Sequence, residues 1–265
     1  PEDYGFHMPE KKNSFKIDLN EKSSVKKIIG VVSGKGGVGK SFVTSMLACE
    51  MARRGYRVGV LDGDITGPSQ TKAFGIHEKA MGDGKYIYPY ITKNGIQVIS
   101  TNMILDSDET PVIWRGPMVA NILKQFYTDV VWDNVDYMFV DMPPGTSDVP
   151  LTAFQSFPLD GIVVVTSPQE LVSMVVEKAI NMAQSMDIKV LGLIENMSYV
   201  ECPNCNEKIE IFGKSHINEV SEKYGLPVLA KIPMRQQVAA SADDGTMEDL
   251  EIPEIKDAVS FIEGE

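Results

Sequence analysis

The run Gly34-Lys35-Gly36-Gly37-Val38-Gly39-Lys40-Ser41 matches G-x-x-x-x-G-K-[ST] without a gap. Glycines at that spacing let the backbone fold tightly enough for successive N–H groups to point at phosphate oxygens, and a following helix adds the positive end of its dipole. In such a loop Lys40 sits on the β- and γ-phosphates of a nucleotide and the Ser41 hydroxyl on Mg²⁺. A nucleotide held this way needs carboxylates nearby. Asp141 closes the apolar run Tyr137–Val140, and Asp62 and Asp64 follow Val58–Leu61. The carboxyl end of a buried strand is where a Mg²⁺-holding aspartate belongs. Of Asp62 and Asp64, one can hold Mg²⁺ through water while the other orients an attacking water. Singly, each reads as a helix or turn cap. Three beside one phosphate loop point to catalysis. Lys35 is one cation more than the simple cradle needs, and taken alone it is a solvated charge.

A second constellation lies far along the chain. Cys202-Pro203-Asn204-Cys205 has the spacing that turns two sulfurs toward one ion. One pair leaves a tetrahedral sulfur shell half filled. The remaining cysteine, Cys49, falls in the helix after the phosphate loop and reads as a small core residue. His216 falls at the start of a helix, where capping or solvent exposure is the simpler role. Another chain or a non-protein ligand must then finish the shell. Two chains with a pair each make a Cys₄ site on a two-fold axis, which suits Zn²⁺ or a 4Fe–4S cluster. A structural zinc shared by a dimer, a thioredoxin-like redox pair and a chance pair in a loop stand as alternatives. The redox pair fits least, because that motif opens a helix and Pro203-Asn204 leads toward a hairpin.

These residues need a scaffold, and the chain supplies a repeating one. Apolar runs occur at 27–32, 58–61, 96–100, 137–140, 161–166, 190–194 and 228–232. They are rich in β-branched residues and apolar at consecutive positions, the pattern of strands buried on both faces of a parallel sheet. Between them, helices are predicted over 41–54, 118–130, 170–186, 215–224 and 254–262, two of them stopping just before Gly55 and Gly225. Strand–helix alternation predicts an α/β, doubly wound, mostly parallel sheet with ligands at the carboxyl ends of its strands. Two stretches break the rhythm: 80–97 reads as an inserted hairpin turning at Lys93-Asn94-Gly95, and 199–212 as a small Cys-bearing insertion. Residues 1–24 are polar and without periodicity, a loosely held leader before a single domain over 25–265.

Composition narrows the partners. The chain has 265 residues, 43% of them hydrophobic, and a net charge of −12. That balance argues against a life on nucleic acid, where neutralising phosphates dominates affinity. No stretch approaches the roughly 18 apolar residues of a membrane span, and no apolar signal segment opens the chain. Three cysteines point to a reducing cytoplasm rather than a disulfide framework. Scattered methionines (Met46, Met51, Met118, Met182, Met186), Trp114 and Trp132 read as packing; His7 and His77 have no assignable role.

The form KGGVGKS at 35–41, with Asp62-Gly63-Asp64 and Asp141-Met142-Pro143-Pro144-Gly145-Thr146, resembles the deviant Walker A ATPases, the group of MinD, ParA and the nitrogenase iron protein. Within it, DGDITGPS (62–69), DMPPGTSD (141–148), ENMS (195–198) and the Cys pair are most similar to the Mrp/ApbC branch, the iron–sulfur cluster carriers; Trp114-Arg115-Gly116-Pro117 also matches that branch, without a mechanistic role for Arg115. The resemblance covers about residues 25–250. It implies that Lys35 reaches across a dimer to the partner's ATP as an arginine finger does, that Asp64 orients the hydrolytic water, that Asp62 and Asp141 support Mg²⁺, and that Asn196 faces the adenine. It further implies a homodimeric, slowly hydrolysing ATPase that carries a 4Fe–4S cluster between the Cys202 and Cys205 pairs of two subunits and passes it to acceptor apoproteins. A MinD-like positioning ATPase with a purely structural zinc clasp is the alternative; the acidic C-terminal stretch from Glu248 lacks the basic amphipathic character that membrane association needs.

Overall fold

A computed structural model describes residues 17–64, 67, 69–104, 116–145, 150–151, 154–155, 157–168 and 172–265, excepting the side chains of 117, 120, 172 and 173. Residues 1–16 of the expected leader, with His7, lie outside this set, as do Trp114, Arg115, the 146–148 part of the DMPPGTSD run, and the start of the helix predicted from 170.

Eight strands form the central sheet, in the order β12-β9-β8-β1-β7-β2-β6-β5. These are β1 (Val25–Ser33), β2 (Val58–Asp62), β5 (Tyr90–Ile91), β6 (Gln97–Ile99), β7 (Val135–Asp141), β8 (Gly161–Thr166), β9 (Val190–Glu195) and β12 (Val228–Lys231). All neighbours pair in parallel except β5, which runs antiparallel to β6 at one edge. All seven apolar runs became strands of this sheet, within a residue or two at each end. β2 and β8 are buried at every position, so helices cover both faces. The reason lies in the order of the strands. The connection from β1 to β2 through helix α1 (Lys40–Arg53) moves one way along the sheet; those from β6 to β7 through α3 (Gly116–Thr128), β8 to β9 through α4 (Val172–Ser185) and β9 to β12 through α5 (Ile217–Tyr224) move the other way. Right-handed crossovers in opposite directions put their helices on opposite faces.

The remaining helices are α2 (Gln70–Ala73), α6 (Gln236–Asp244) and α7 (Pro253–Gly264). Neither α2 nor α6 was expected: α2 has a single turn, too short for periodicity, and α6 buries no side chain completely, only half-burying Val238 and Ala242. Helix α7 packs on α1 and β12 through Ile255, Ala258, Val259 and Ile262. The 80–97 stretch is partly absorbed into the main sheet: the turn at Gly95 (φ +82°) joins β5 to β6, while β3 (Met81–Gly82) and β4 (Ile87–Tyr88) pair beside it. The Cys-bearing stretch is a separate antiparallel hairpin, β10 (Val200–Glu201) with β11 (Lys208–Ile209).

Trp132 is completely buried, its Nε1 donating to the Phe126 carbonyl at 3.1 Å, and Gly59 leaves room for it: a Cβ there would stand 3.2 Å from the indole. Met46 and Met51 fill the core as expected, but Met118 is 47% exposed, on the outward face of α3. The leader is tied down where it meets the domain: Asn20 Nδ2 donates to the carbonyls of Thr128 and Val130 at 2.8 and 2.9 Å. Among the described residues no helix is long and apolar enough to cross a membrane.

Candidate functional site

β1 ends at Ser33, the phosphate loop follows, and α1 begins at Lys40 with the Val43 N–H donating to the Gly39 carbonyl at 3.0 Å. Two glycines of the loop are demanded by geometry. Gly39 has φ +79°, and a Cβ there would lie 2.1 Å from Asn196 Nδ2; at Gly34 it would lie 2.2 Å from Val175 Cγ1 and 2.8 Å from the Val175 carbonyl oxygen. The loop is therefore wedged between α4 and the end of β9. Beside it opens a cleft of about 310 Å³, lined by Gly36, Gly37, Gly39, Lys40, Ser41 and Asp64 and, on its far side, by α2 and α6. A Lys72–Asp243 ion pair of 2.6 Å joins those two helices at the cleft.

The three aspartates converge as their strand positions require. Asp62 and Asp141 are register partners at the ends of adjacent strands β2 and β7. Lys40 is buried, donates to Asp141 Oδ1 and stands 3.8 Å from Asp64 Oδ2. Asp141 Oδ2 accepts from Gln70 Nε2 at 2.9 Å. Asp62 is completely buried and fully engaged: Oδ2 accepts from the N–H groups of Ser69 and Gln70 and the Ser100 hydroxyl at 3.2, 3.2 and 3.0 Å, and Oδ1 from the Asp64 N–H at 3.3 Å. Burial, and after it the nearby Asp141 charge, push the Asp62 carboxyl well above the usual carboxylate range. Asp62 thus ties Asp64 to Ser69 and Gln70, while Asp64 and Ser41 line the cleft and Asp141 stands buried behind Lys40. Hydroxyl and carboxylate oxygens are the donors Mg²⁺ takes, so the residues present fit that ion.

Lys35 is exposed, its carbonyl accepting from the Ser33 hydroxyl at 2.8 Å. Asn196 is buried and meets the loop itself, Nδ2 donating to the Val38 carbonyl at 3.0 Å. Gln70 is a residue sequence reasoning missed. Completely buried, it donates to Asp141 and to the Ser41 carbonyl (2.9 Å) and accepts from the Ser45 hydroxyl (2.8 Å), fastening the carboxylate to the helix that carries Lys40. Nothing in its local sequence marks it.

The two cysteines stand apart from this cleft in chain order, in the turn between β10 and β11. Both thiols are free, Cys205 exposed and Cys202 half-buried. The turn is closed by the Cys202 N–H donating to the Glu207 carbonyl and the Asn206 N–H to the Cys202 carbonyl, each at 2.9 Å, with Asn206 at φ +58°. The backbone N–H groups of Asn204 and Cys205, and then the Cys205 thiol, hold the Cys202 thiol below its ordinary range. Among the described residues no group of three or more His, Cys, Asp or Glu is placed to hold a metal ion. His216 is exposed and paired with Glu219 at 3.0 Å, and Cys49 is buried in α1, its thiol pushed up to about 12 first by desolvation and then by Glu248.

Residues 24–263 match the ParA family model described as NUBPL iron-transfer P-loop NTPase. An iron-sulfur cluster carrier protein of Clostridium perfringens is 46% identical over 234 residues, covering 85% of this chain and 82% of the relative. One from Methanocaldococcus jannaschii is 43% identical over 225 residues, covering 84% and 78%. A nucleotide-binding protein of Archaeoglobus fulgidus, solved in complex with ADP, superposes with a TM-score of 0.78 at 39% identity over 87% of this chain and 90% of that one. The MinD cell division ATPase of Pyrococcus furiosus superposes with a TM-score of 0.64 over 90% and 98% at 19% identity, a likeness of fold.

Proposed function

This chain belongs to the ParA/NUBPL family of iron-transfer P-loop NTPases, and on that premise we propose that it is an ATP-dependent carrier of iron–sulfur clusters. The observation that carries the reading is the presence in one fold of two separate devices: a phosphate loop whose lysine faces a carboxylate pair, and a pair of free cysteines, Cys205 exposed and Cys202 half-buried, in a turn whose N–H groups favour the Cys202 thiolate. The names borne by relatives more than 40% identical support the same reading.

The nucleotide end works by exchange of partners. Triphosphate entering the loop competes with Asp141 for Lys40, releasing a carboxylate oxygen at the cleft. Ser41 and Asp141 then hold Mg²⁺, with Asp62 supporting them by fixing the loop behind, and Asn196 completes the nucleotide pocket. Bound Mg²⁺ supplies charge neutralisation at the β- and γ-phosphates. Asp64, 3.8 Å from Lys40 Nζ, orients the water that attacks, and hydrolysis is slow. Lys35, exposed at the mouth of the loop, reaches the nucleotide of a second copy, which makes the active species a homodimer.

The cargo end needs the same dimer. Two sulfurs per chain provide half of a tetrahedral set, so a 4Fe–4S cluster is held between two Cys202–Cys205 turns and delivered to acceptor apoproteins; Zn²⁺ fits the same four thiolates. A reducing cytoplasm keeps these thiols free to bind.

Anaerobic reconstitution with iron and sulfide tests the proposal. Native protein should bind both as a dimer and transfer them to an apoprotein, and the Cys202→Ala/Cys205→Ala variant should do neither. Undiminished loading and transfer by the double variant refutes the carrier reading; zinc retained without iron or sulfide points to a structural clasp. A lone protomer under every combination of nucleotide and metal removes both the reach of Lys35 and the shared sulfur site.

A further inference from the structure

The nucleotide and cargo devices are joined by four residues at the end of β9. Glu195, the last residue of that strand, is completely buried, and its carboxylate accepts from two hydroxyls: Ser198 Oγ at Oε2, and Ser215 Oγ at Oε1 at 2.6 Å. Those serines are the two feet of the Cys-bearing excursion. Ser198 stands between the end of β9 and the start of β10, and Ser215 stands where the chain returns to start α5. One carboxylate therefore pins both ends of the segment that displays Cys202 and Cys205.

The residue after Glu195 touches the other device. Asn196 donates through its side chain to the Val38 carbonyl and through its backbone N–H to the Thr166 carbonyl at 2.8 Å. Its packing against Gly39 is tight enough that the loop has no slack there: a single added methyl would overlap the amide. Val38 and Gly39 belong to the backbone that must accommodate phosphate, so a shift of the loop is met by Asn196. Between Asn196 and Ser198 lies Met197 at φ +56°, one of four non-glycine residues in the left-handed region among the described residues. Such a conformation is strained for a residue with a Cβ and persists only where its flanks dictate it. Here the flanks are the amide on the phosphate loop and the hydroxyl on Glu195.

We infer that Glu195, with Ser198 and Ser215, is the positioning element through which the phosphate loop sets the placement of the Cys202–Cys205 turn. The inference rests on the carrier reading for its purpose but not for its test. Displacement of the Val38–Gly39 backbone moves Asn196, the left-handed Met197 pivots, and Ser198 and Ser215 transmit the change to the two feet of the hairpin. This is a contiguous chain of packed and hydrogen-bonded groups, one physical route by which energetic coupling travels between sites. Other ties of the hairpin run elsewhere, to the segment after β12, where the Met234 N–H donates to the Tyr199 carbonyl at 2.8 Å and Arg235 stands 3.9 Å from Glu201. They hold the hairpin without touching the phosphate loop.

The experiment reads thiol alkylation by iodoacetamide in the metal-free protein with and without MgATP. Peptide mass separates Cys202 and Cys205 from the buried Cys49. In the native chain the rates should change about fivefold on MgATP, the lower end of ordinary site-to-site coupling. In Ser215→Ala and in Ser198→Ala the change should collapse to less than about 1.5-fold at the same nucleotide occupancy. Ser215→Thr, which keeps the hydroxyl, should restore it. A merely structural serine alters both rates alike and leaves their ratio intact. Ser215 is partly exposed, so its variant folds even where Ser198→Ala does not. Native rates indifferent to MgATP, or a full response in Ser215→Ala, overturns the inference. Because no cluster enters this assay, its outcome is independent of cluster loading in the Cys202→Ala/Cys205→Ala variant, and either reading can fall alone.

Discussion

Replacing Gln70 with alanine removes a side chain that three polar groups depend on. It donates to an Asp141 oxygen and the Ser41 carbonyl, each at 2.9 Å, and accepts from Ser45 at 2.8 Å, with no access to solvent. The bond to the carboxylate is charge-assisted and contributes about 1.5–3 kcal/mol; the two neutral bonds contribute about 0.5–1.5 kcal/mol each. Ser45 keeps a second acceptor, the Ser41 carbonyl at 3.0 Å, so its loss falls at the lower end. The sum is about 3–5 kcal/mol, which for a chain of this size lowers Tm by about 10 °C. The same loss frees Asp141 to rotate, so MgATP affinity should fall about tenfold, equivalent to about 1.4 kcal/mol. Gln70→Glu keeps the shape but sets a second carboxylate beside Asp141, and should weaken MgATP binding more than alanine does. Circular dichroism melts and titration with a fluorescent ATP analogue read both effects. A Gln70→Ala protein that melts within about 2 °C of the native one and binds MgATP equally well would refute the idea that this amide fastens the carboxylate.

The loop glycines make an internal contrast. Gly34→Ala pushes a methyl to 2.8 Å from the Val175 carbonyl, which belongs to a helix backbone, and should cost about 1–3 kcal/mol together with nucleotide binding; at Gly36 a Cβ meets nothing within 4 Å, so Gly36→Ala should melt with the native protein. Alkylation counted by mass should find Cys202 and Cys205 modified in the folded chain and Cys49 only after denaturant, since burial first and Glu248 second hold its thiol at about 12. In a Cys205→Ser background, backbone donation should keep the Cys202 rate midpoint below that of a free thiol. Burial works most strongly, raising the Glu254 carboxyl, but the Arg235 N–H bonds, its own backbone N–H and the Arg235 and Lys208 charges together leave it below the ordinary range. Stability from this pair is therefore present above the unfolded glutamate's value of 4.5 and lost as pH falls through the lowered folded value. Acid-unfolding curves of native and Arg235→Ala protein should converge at low pH; a constant separation would contradict the sign.

The parallel strands, the phosphate loop and the helix stops at Gly55 and Gly225 could be read from the chain, because each is declared by neighbours a few positions away. Consecutive apolar residues mark a strand covered on both faces, and a glycine after an apolar period marks a left-handed stop, seen at φ +91° and +64°. The placement of three aspartates at strand ends was legible for the same reason. What the chain alone did not declare is who meets whom across it. Gln70 sits in a single turn without periodicity, α6 half-buries only Val238 and Ala242 of its apolar residues, and Met118 keeps the spacing of a core residue while facing out. The contacts of Asn196 with Val38 and of Glu195 with Ser215 join positions 158 and 20 residues apart. Only the strand order, which sets the end of β9 beside the loop after β1 with β8 between them, brings such groups within hydrogen-bonding reach; local periodicity reports which face is buried, and the closed packing of the whole sheet decides what it is buried against.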